Sequence, residues 1–106
     1  TVDNGCLWAK PGGHLTTLRS RFKRKLEGGT EMEILDPTPY SLDGMIPLEV
    51  KKGTCIVLHG YLPHYSLPNI SGKSRPAYAI HTVNPNCHYP NDNWLQRDPG
   101  FALKGF

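Results

Sequence analysis

Several things that would decide a function by composition are scarce in this chain. Cysteine is one: Cys6, Cys55 and Cys87 are the three present, and no Cys-x-x-Cys pair occurs. An odd number without paired spacing argues against a disulfide scaffold. It also leaves His59 and His64, spaced like the histidine half of a zinc finger, without a cysteine half. Charge of one sign is in short supply too. Twelve Lys and Arg against nine Asp and Glu give a net charge of +3. That excess does not make an extended basic surface, so nucleic acid is not an expected partner. No apolar run is long enough to span a bilayer, and no secretory signal is present. The Gly-x-Ser-x-Gly elbow of serine hydrolases, the Gly-x-Gly-x-x-Gly turn and the P-loop are all missing. Unpaired cysteines and the lack of a signal suit an intracellular, cytoplasmic protein, with a peroxisomal location also compatible.

Turn residues, by contrast, are plentiful. Eleven Gly and ten Pro punctuate 106 residues that are 38% hydrophobic, enough for one modest core. Residues 5–10 (GCLWAK) are short, apolar and aromatic, a strand that Pro11-Gly12-Gly13 breaks. Leu15, Leu18, Phe22 and Leu26 recur at helical spacing, with Arg19, Arg21, Lys23, Arg24 and Lys25 on the other face. This predicts a short surface helix stopped by Gly28-Gly29. Residues 30–44 read as a loop. Ile46, Leu48 and Val50 alternate with polar or turn residues in a half-buried strand, and Pro47 places it at a sheet edge. After Val83 an Asn- and Pro-rich tail follows, with Trp94, Leu95, Phe101 and Phe106 available to pin it to the body. The expected class is mainly β with one short helix.

The stretch 53–83 organises the rest. Residues 54–59 are apolar on both faces, as in a strand covered from two sides. A turn cluster at 68–73 separates His64 and Ser66 from a second strand-like run at 77–83, which predicts a hairpin. Centred near Ile70 and Ser71, that hairpin sets Ser66 opposite Arg75 and His64 opposite Ala77. Side chains alternate along a strand, so His64, Ser66 and Arg75 can then project to one side. An imidazole, a hydroxyl and a guanidinium at one spot suit a metal and a carboxylate. The plain alternative is a satisfied structural histidine rather than a ligand, which residue type alone favours.

Motifs sharpen this choice. Asn4-Gly5-Cys6-Leu7-Trp8 followed by Pro11-Gly12-Gly13-His14 resembles the NGCLW…PGSH segment of the phytanoyl-CoA dioxygenase family, with Gly13 in place of the usual serine. The block from Gly53 through His59, His64-x-Ser66 and Ser74-Arg75-x-Ala77-Tyr78 to His81 is similar to a second patterned block of that family, and Asn93-Trp94-Leu95-Gln96 to the tail of its members. The resemblance implies an Fe(II)- and 2-oxoglutarate-dependent oxygenase on a double-stranded β-helix, or jelly roll. It implies that His64 is the distal histidine of a two-histidine, one-carboxylate iron triad. Arg75 would pair with the far carboxylate of 2-oxoglutarate, which suits a planar bidentate fork, and Ser66 would contact the same carboxylate. The remaining partner is a small-molecule substrate whose identity the residues do not specify.

One departure bounds the reading. The family carries its other two iron ligands in a His-x-Asp motif upstream of NGCLW. None of His14, His59, His64, His81 and His88 has an aspartate two residues on. A single ligand does not hold Fe(II) usefully. The expectation is therefore that residues 1–106 are the C-terminal part of such a domain, inactive alone, beginning at Thr1 in mid-fold. A non-catalytic β-rich interaction module, or an inactive relative, is the competing expectation.

Overall fold

The structure is a computed structural model that describes residues 1–98, 100 and 101. Phe106, one of the expected tail anchors, lies outside the described residues. Five strands occur in chain order: β1 (Leu7–Ala9), β2 (Ser20–Arg24), β3 (Thr30–Ile34), β4 (Ile46–Pro47) and β5 (His64–Ser66). A single 3-10 turn spans Gly13–Leu15, and no α-helix occurs among the described residues. The class is mainly β, as expected. The chain divides into two compact units, Thr1–Leu18 with Thr38–Tyr78, and Arg19–Pro37 with the described residues from Ala79 on.

The first unit is a three-stranded antiparallel sheet in the order β4-β1-β5. β1 is central because its residues are the apolar ones. Ala9 and the preceding Cys6 are the buried hydrophobic residues of the described chain. On one face Trp8 stacks on Tyr65, directly across the ladder, with ring centroids 6.0 Å apart. On the other face lie Leu7 and Ala9, opposite Ser66 and His64. Pro47 pairs with Trp8, and the neighbouring Leu48 N–H donates to the Leu7 carbonyl at 2.7 Å. Donors alternate in direction along a strand, so the proline takes the position whose N–H would point away from β1. Its predicted edge position is confirmed.

The second unit overturns the predicted helix at 15–26. Residues 20–24 form β2 and pair with β3 in the register Ser20↔Ile34 through Arg24↔Thr30. The helical spacing of Leu18, Phe22 and Leu26 competes with a period-2 pattern that places Arg21 opposite Glu33 and Lys23 opposite Glu31. Gly28 and Gly29, at φ 97° and 79°, build the hairpin turn instead of stopping a helix. The expected loop at 30–44 accordingly contains β3. Phe22 meets Trp94 at 5.8 Å, so this part of the tail is pinned as expected.

Two more expectations fail. Residues 54–59 form no strand, and Val57 is 90% exposed where coverage on both faces was expected. A strand needs a partner on at least one edge, and residues 54–59 pair with neither sheet. The hairpin between 64–66 and 77–83 is also absent. Asn69 folds the turn on itself, with Oδ1 accepting from the Ser71 amide at 3.0 Å and Nδ2 donating to the Lys73 carbonyl at 2.6 Å. β5 pairs with β1 instead.

Candidate metal centre

His64 opens β5 immediately after Pro63. Its Nδ1 lies 2.8 Å from the carbonyl oxygen of Leu62. A carbonyl oxygen only accepts, so the proton sits on Nδ1 and the Nε2 lone pair is left available. Metal-bound histidines characteristically donate their second ring nitrogen in this way, which fixes both tautomer and ring direction. His64 is exposed, and across the ladder it faces Ala9, the smallest side chain of β1, which leaves room above the ring.

His59 is arranged in the opposite sense. Its Nδ1 accepts the Tyr61 amide at 3.1 Å, which in the neutral ring leaves the proton on Nε2. Its ring packs 5.0 Å from that of His14 and edge-on to Tyr61 at 5.6 Å. Five residues apart, one histidine presents a free lone pair and the other has it committed to the backbone. Residue type alone does not separate them; the backbone partners do.

Ser66 shares the face of His64, two residues along β5, and is paired with Leu7. Arg75 is not brought opposite Ser66. It lies outside any strand, exposed, with no ion pair among the described residues. The expected facing pairs Ser66–Arg75 and His64–Ala77 are therefore not formed: β5 pairs with β1 alone, and residues 75–83 form no strand. No group of three or more His, Cys, Asp or Glu suited to a metal occurs among the described residues. The donor set fits an iron site as one ligand of it, His64, and does not complete it. His81, His88 and the exposed Cys87 belong to the second unit and gather no such group. The signals missed by sequence reasoning are the Leu62 carbonyl, which orients His64, and the pairing of β5 with β1.

The model of the phytanoyl-CoA dioxygenase (PhyH) family matches residues 1–77, a span that includes His64, Ser66 and Arg75. A protein of Arabidopsis thaliana named phytanoyl-CoA dioxygenase is 42% identical over 99 residues, covering 92% of this chain and 34% of that protein. Phytanoyl-CoA dioxygenase 1 of Oryza sativa subsp. japonica is 44% identical over 98 residues, covering 92% and 34%. A phytanoyl-CoA dioxygenase domain-containing protein 1 homolog of Dictyostelium discoideum is 38% identical over 108 residues, covering 97% and 38%. The chain thus spans about a third of the length of the curated relatives it matches. No solved structure matches it. With most of its length matched by one family model and by relatives of that name, the chain belongs to the phytanoyl-CoA dioxygenase family.

Proposed function

We propose that residues 1–106 are the C-terminal part of an Fe(II)- and 2-oxoglutarate-dependent oxygenase domain of jelly-roll type, which hydroxylates a small organic substrate. The observation that carries this is the Nδ1–H of His64 held on the Leu62 carbonyl at 2.8 Å, with Nε2 left to bind a metal. Family membership and the short span relative to the relatives support it. In this reading His64 is one iron ligand, and the other two come from residues outside these 106. Arg75 grips the C5 carboxylate of 2-oxoglutarate with its fork, and Ser66 donates to the same carboxylate. Both are exposed, and burial of the cosubstrate against them requires Arg75 to come to the Ser66 side of β5. Iron bound there would activate O₂, with 2-oxoglutarate decarboxylated to succinate. The chain's own residues orient a ring nitrogen and neutralise a carboxylate. No helix among the described residues is long and apolar enough to cross a membrane.

The test is a titration of 2-oxoglutarate into the longer, metal-loaded protein that carries a His-x-Asp motif. His64→Ala should abolish metal-dependent succinate formation. Arg75→Ala should weaken 2-oxoglutarate binding by about 2–5 kcal/mol, the cost of removing one partner from a desolvated charge pair. That is roughly 30-fold or more in affinity. Arg75→Lys should recover part of it, since lysine keeps the charge without the fork. Unchanged affinity in Arg75→Ala would remove the cosubstrate from this segment. No metal binding in the longer protein would favour the interaction module.

A further inference from the structure

We propose that the turn from Lys10 to His14 is the device that orients His64, and that Gly13 is its positioning residue. The inference rests on His64 being a metal ligand for its consequence, not for its geometry. Three contacts join the turn to residues 59–63. The Lys10 amide donates to the Pro63 carbonyl at 3.1 Å, the Gly13 backbone lies against the Pro63 ring, and the His14 ring packs on that of His59 at 5.0 Å. Two glycines make this closure possible, for different reasons. Gly12 sits at φ 72°, where the chain reverses into the 3-10 turn. Gly13 is buried, and a Cβ built there would stand 2.7 Å from Pro63 Cδ and 3.2 Å from both Pro63 Cγ and Lys10 Cβ. A proline ring is rigid, so it does not yield as the tip of a flexible side chain would. A side chain at position 13 does not fit here unless Pro63 moves.

The covalent path from that contact to the histidine is short. Pro63 Cδ is bonded to the proline nitrogen, and that nitrogen is bonded to the carbonyl carbon of Leu62. The Leu62 oxygen is the acceptor that holds His64 Nδ1–H. On the far side, the Pro63 carbonyl is tied to Lys10, and the Leu62 amide donates to the His59 carbonyl at 2.9 Å. The Pro63–His64 and Tyr61–Leu62 peptide groups are thus held by the turn and by His59, and the Leu62–Pro63 group between them is braced by the ring against Gly13. A methyl at position 13 presses on the ring and displaces the one carbonyl that selects the tautomer. The proton is then free to move to Nε2, and the lone pair meant for a metal moves to the wrong nitrogen.

The experiment reads the two ring nitrogens of His64 by ¹⁵N NMR in the 106-residue chain, with no metal added. Parent and Pro63→Ala should show the Nδ1–H form. Gly13→Ala should populate the Nε2–H form, and Gly13→Ala/Pro63→Ala should restore Nδ1–H, because the atoms that clash are gone. If Gly13→Ala does not fold, recovery of both the fold and the Nδ1–H form in the double variant is the expected result. An Nδ1–H tautomer that survives in folded Gly13→Ala overturns the proposal, as does a double variant that fails to recover it. A general loss of stability would not move one ring proton and be reversed by trimming Pro63. Paramagnetic Co(II) is then added to the same variants made in the longer protein that carries the His-x-Asp motif. Broadening of the His64 signals in the parent, reduced by about 10- to 100-fold in apparent affinity in Gly13→Ala, is expected for an oriented ligand. If the tautomers behave as described but Co(II) leaves His64 untouched, the positioning stands and the metal reading fails.

Discussion

Between Ser20 and Ile34 the chain pairs five residues with five across a turn of its own making. In the other unit, β1 pairs with two residues of β4 on one edge and three of β5 on the other, both far along the chain. The hairpin is closed by local contacts and dressed with charge. Arg21 reaches Glu33 at 3.5 Å and Asp92 at 2.9 Å, and Lys23 reaches Glu33 at 3.0 Å. The β1 sheet is held by small buried groups and a ring stack, and it carries His64. The candidate ligand His64 therefore sits where order depends on distant pairing, and the locally self-sufficient hairpin carries no candidate ligand. Closing long loops costs entropy before any contact repays it, so the sheet should be the softer of the two.

The largest effect expected to sharpen this contrast comes from Ala9→Asp. It would force a larger, charged side chain into the most buried row of the sheet, with exposed His64 across the ladder as a partial partner, at a cost of about 1–3 kcal/mol. Amide exchange should show it selectively. Protection of the Lys10 and Leu48 amides, bonded to Pro63 and Leu7, should be lost, while that of Leu35, bonded to Arg19, persists. Equal loss at all three would mean the two units open together. Next in size is Trp94→Ala, which removes the ring against Phe22. Both partners are about 43% exposed, so the loss should be modest. An aromatic pair contributes about 0.5–1.5 kcal/mol beyond its buried area. Here the Leu35 amide should lose protection and the Lys10 amide should not.

The smallest effect is one of pH. A hydrogen bond from Lys23 to the Glu33 carboxylate, with Glu31 and Asp92 nearby, holds the ammonium above the ordinary lysine value of 10.5. A raised folded-state value means that the contribution is fully present below 10.5 and is lost as pH rises through the higher, folded-state value. Hairpin stability should thus decline in strongly alkaline solution, and Glu33→Gln should flatten that decline while leaving the β1 sheet unchanged. A slope that persists in Glu33→Gln would assign the titration to another group.

What could be read from residues alone follows the same divide. The strand at 5–10, its break at Pro11-Gly12-Gly13, the edge position of Pro47 and the 68–73 turn are local patterns, and the structure has them. The β2–β3 hairpin was hidden because Leu18, Phe22 and Leu26 satisfy a helical period. The discriminating signal was the complementary order of charges, Arg21 to Glu33 and Lys23 to Glu31, on either side of Gly28-Gly29. The motif His64-x-Ser66 sets two candidate residues on one face by strand alternation, and the structure places both on one face of β5. The Leu62 carbonyl and the approach of Gly13 to Pro63 were not legible, because backbone atoms contribute no letter of their own to a sequence and their meeting depends on pairing across a long separation.

The proline of β4 gives the β1 sheet a direction of growth. With Pro47 occupying the position whose N–H would face outward, that border offers an incomming strand one donor too few. The opposite border, formed by His64, Tyr65 and Ser66, carries a full set of backbone groups. Any segment that extends this sheet, whether from the same polypeptide or from a neighbouring copy in a concentrated solution, is steered to the histidine side. Completion of the fold and its aggregation would then compete for one and the same border.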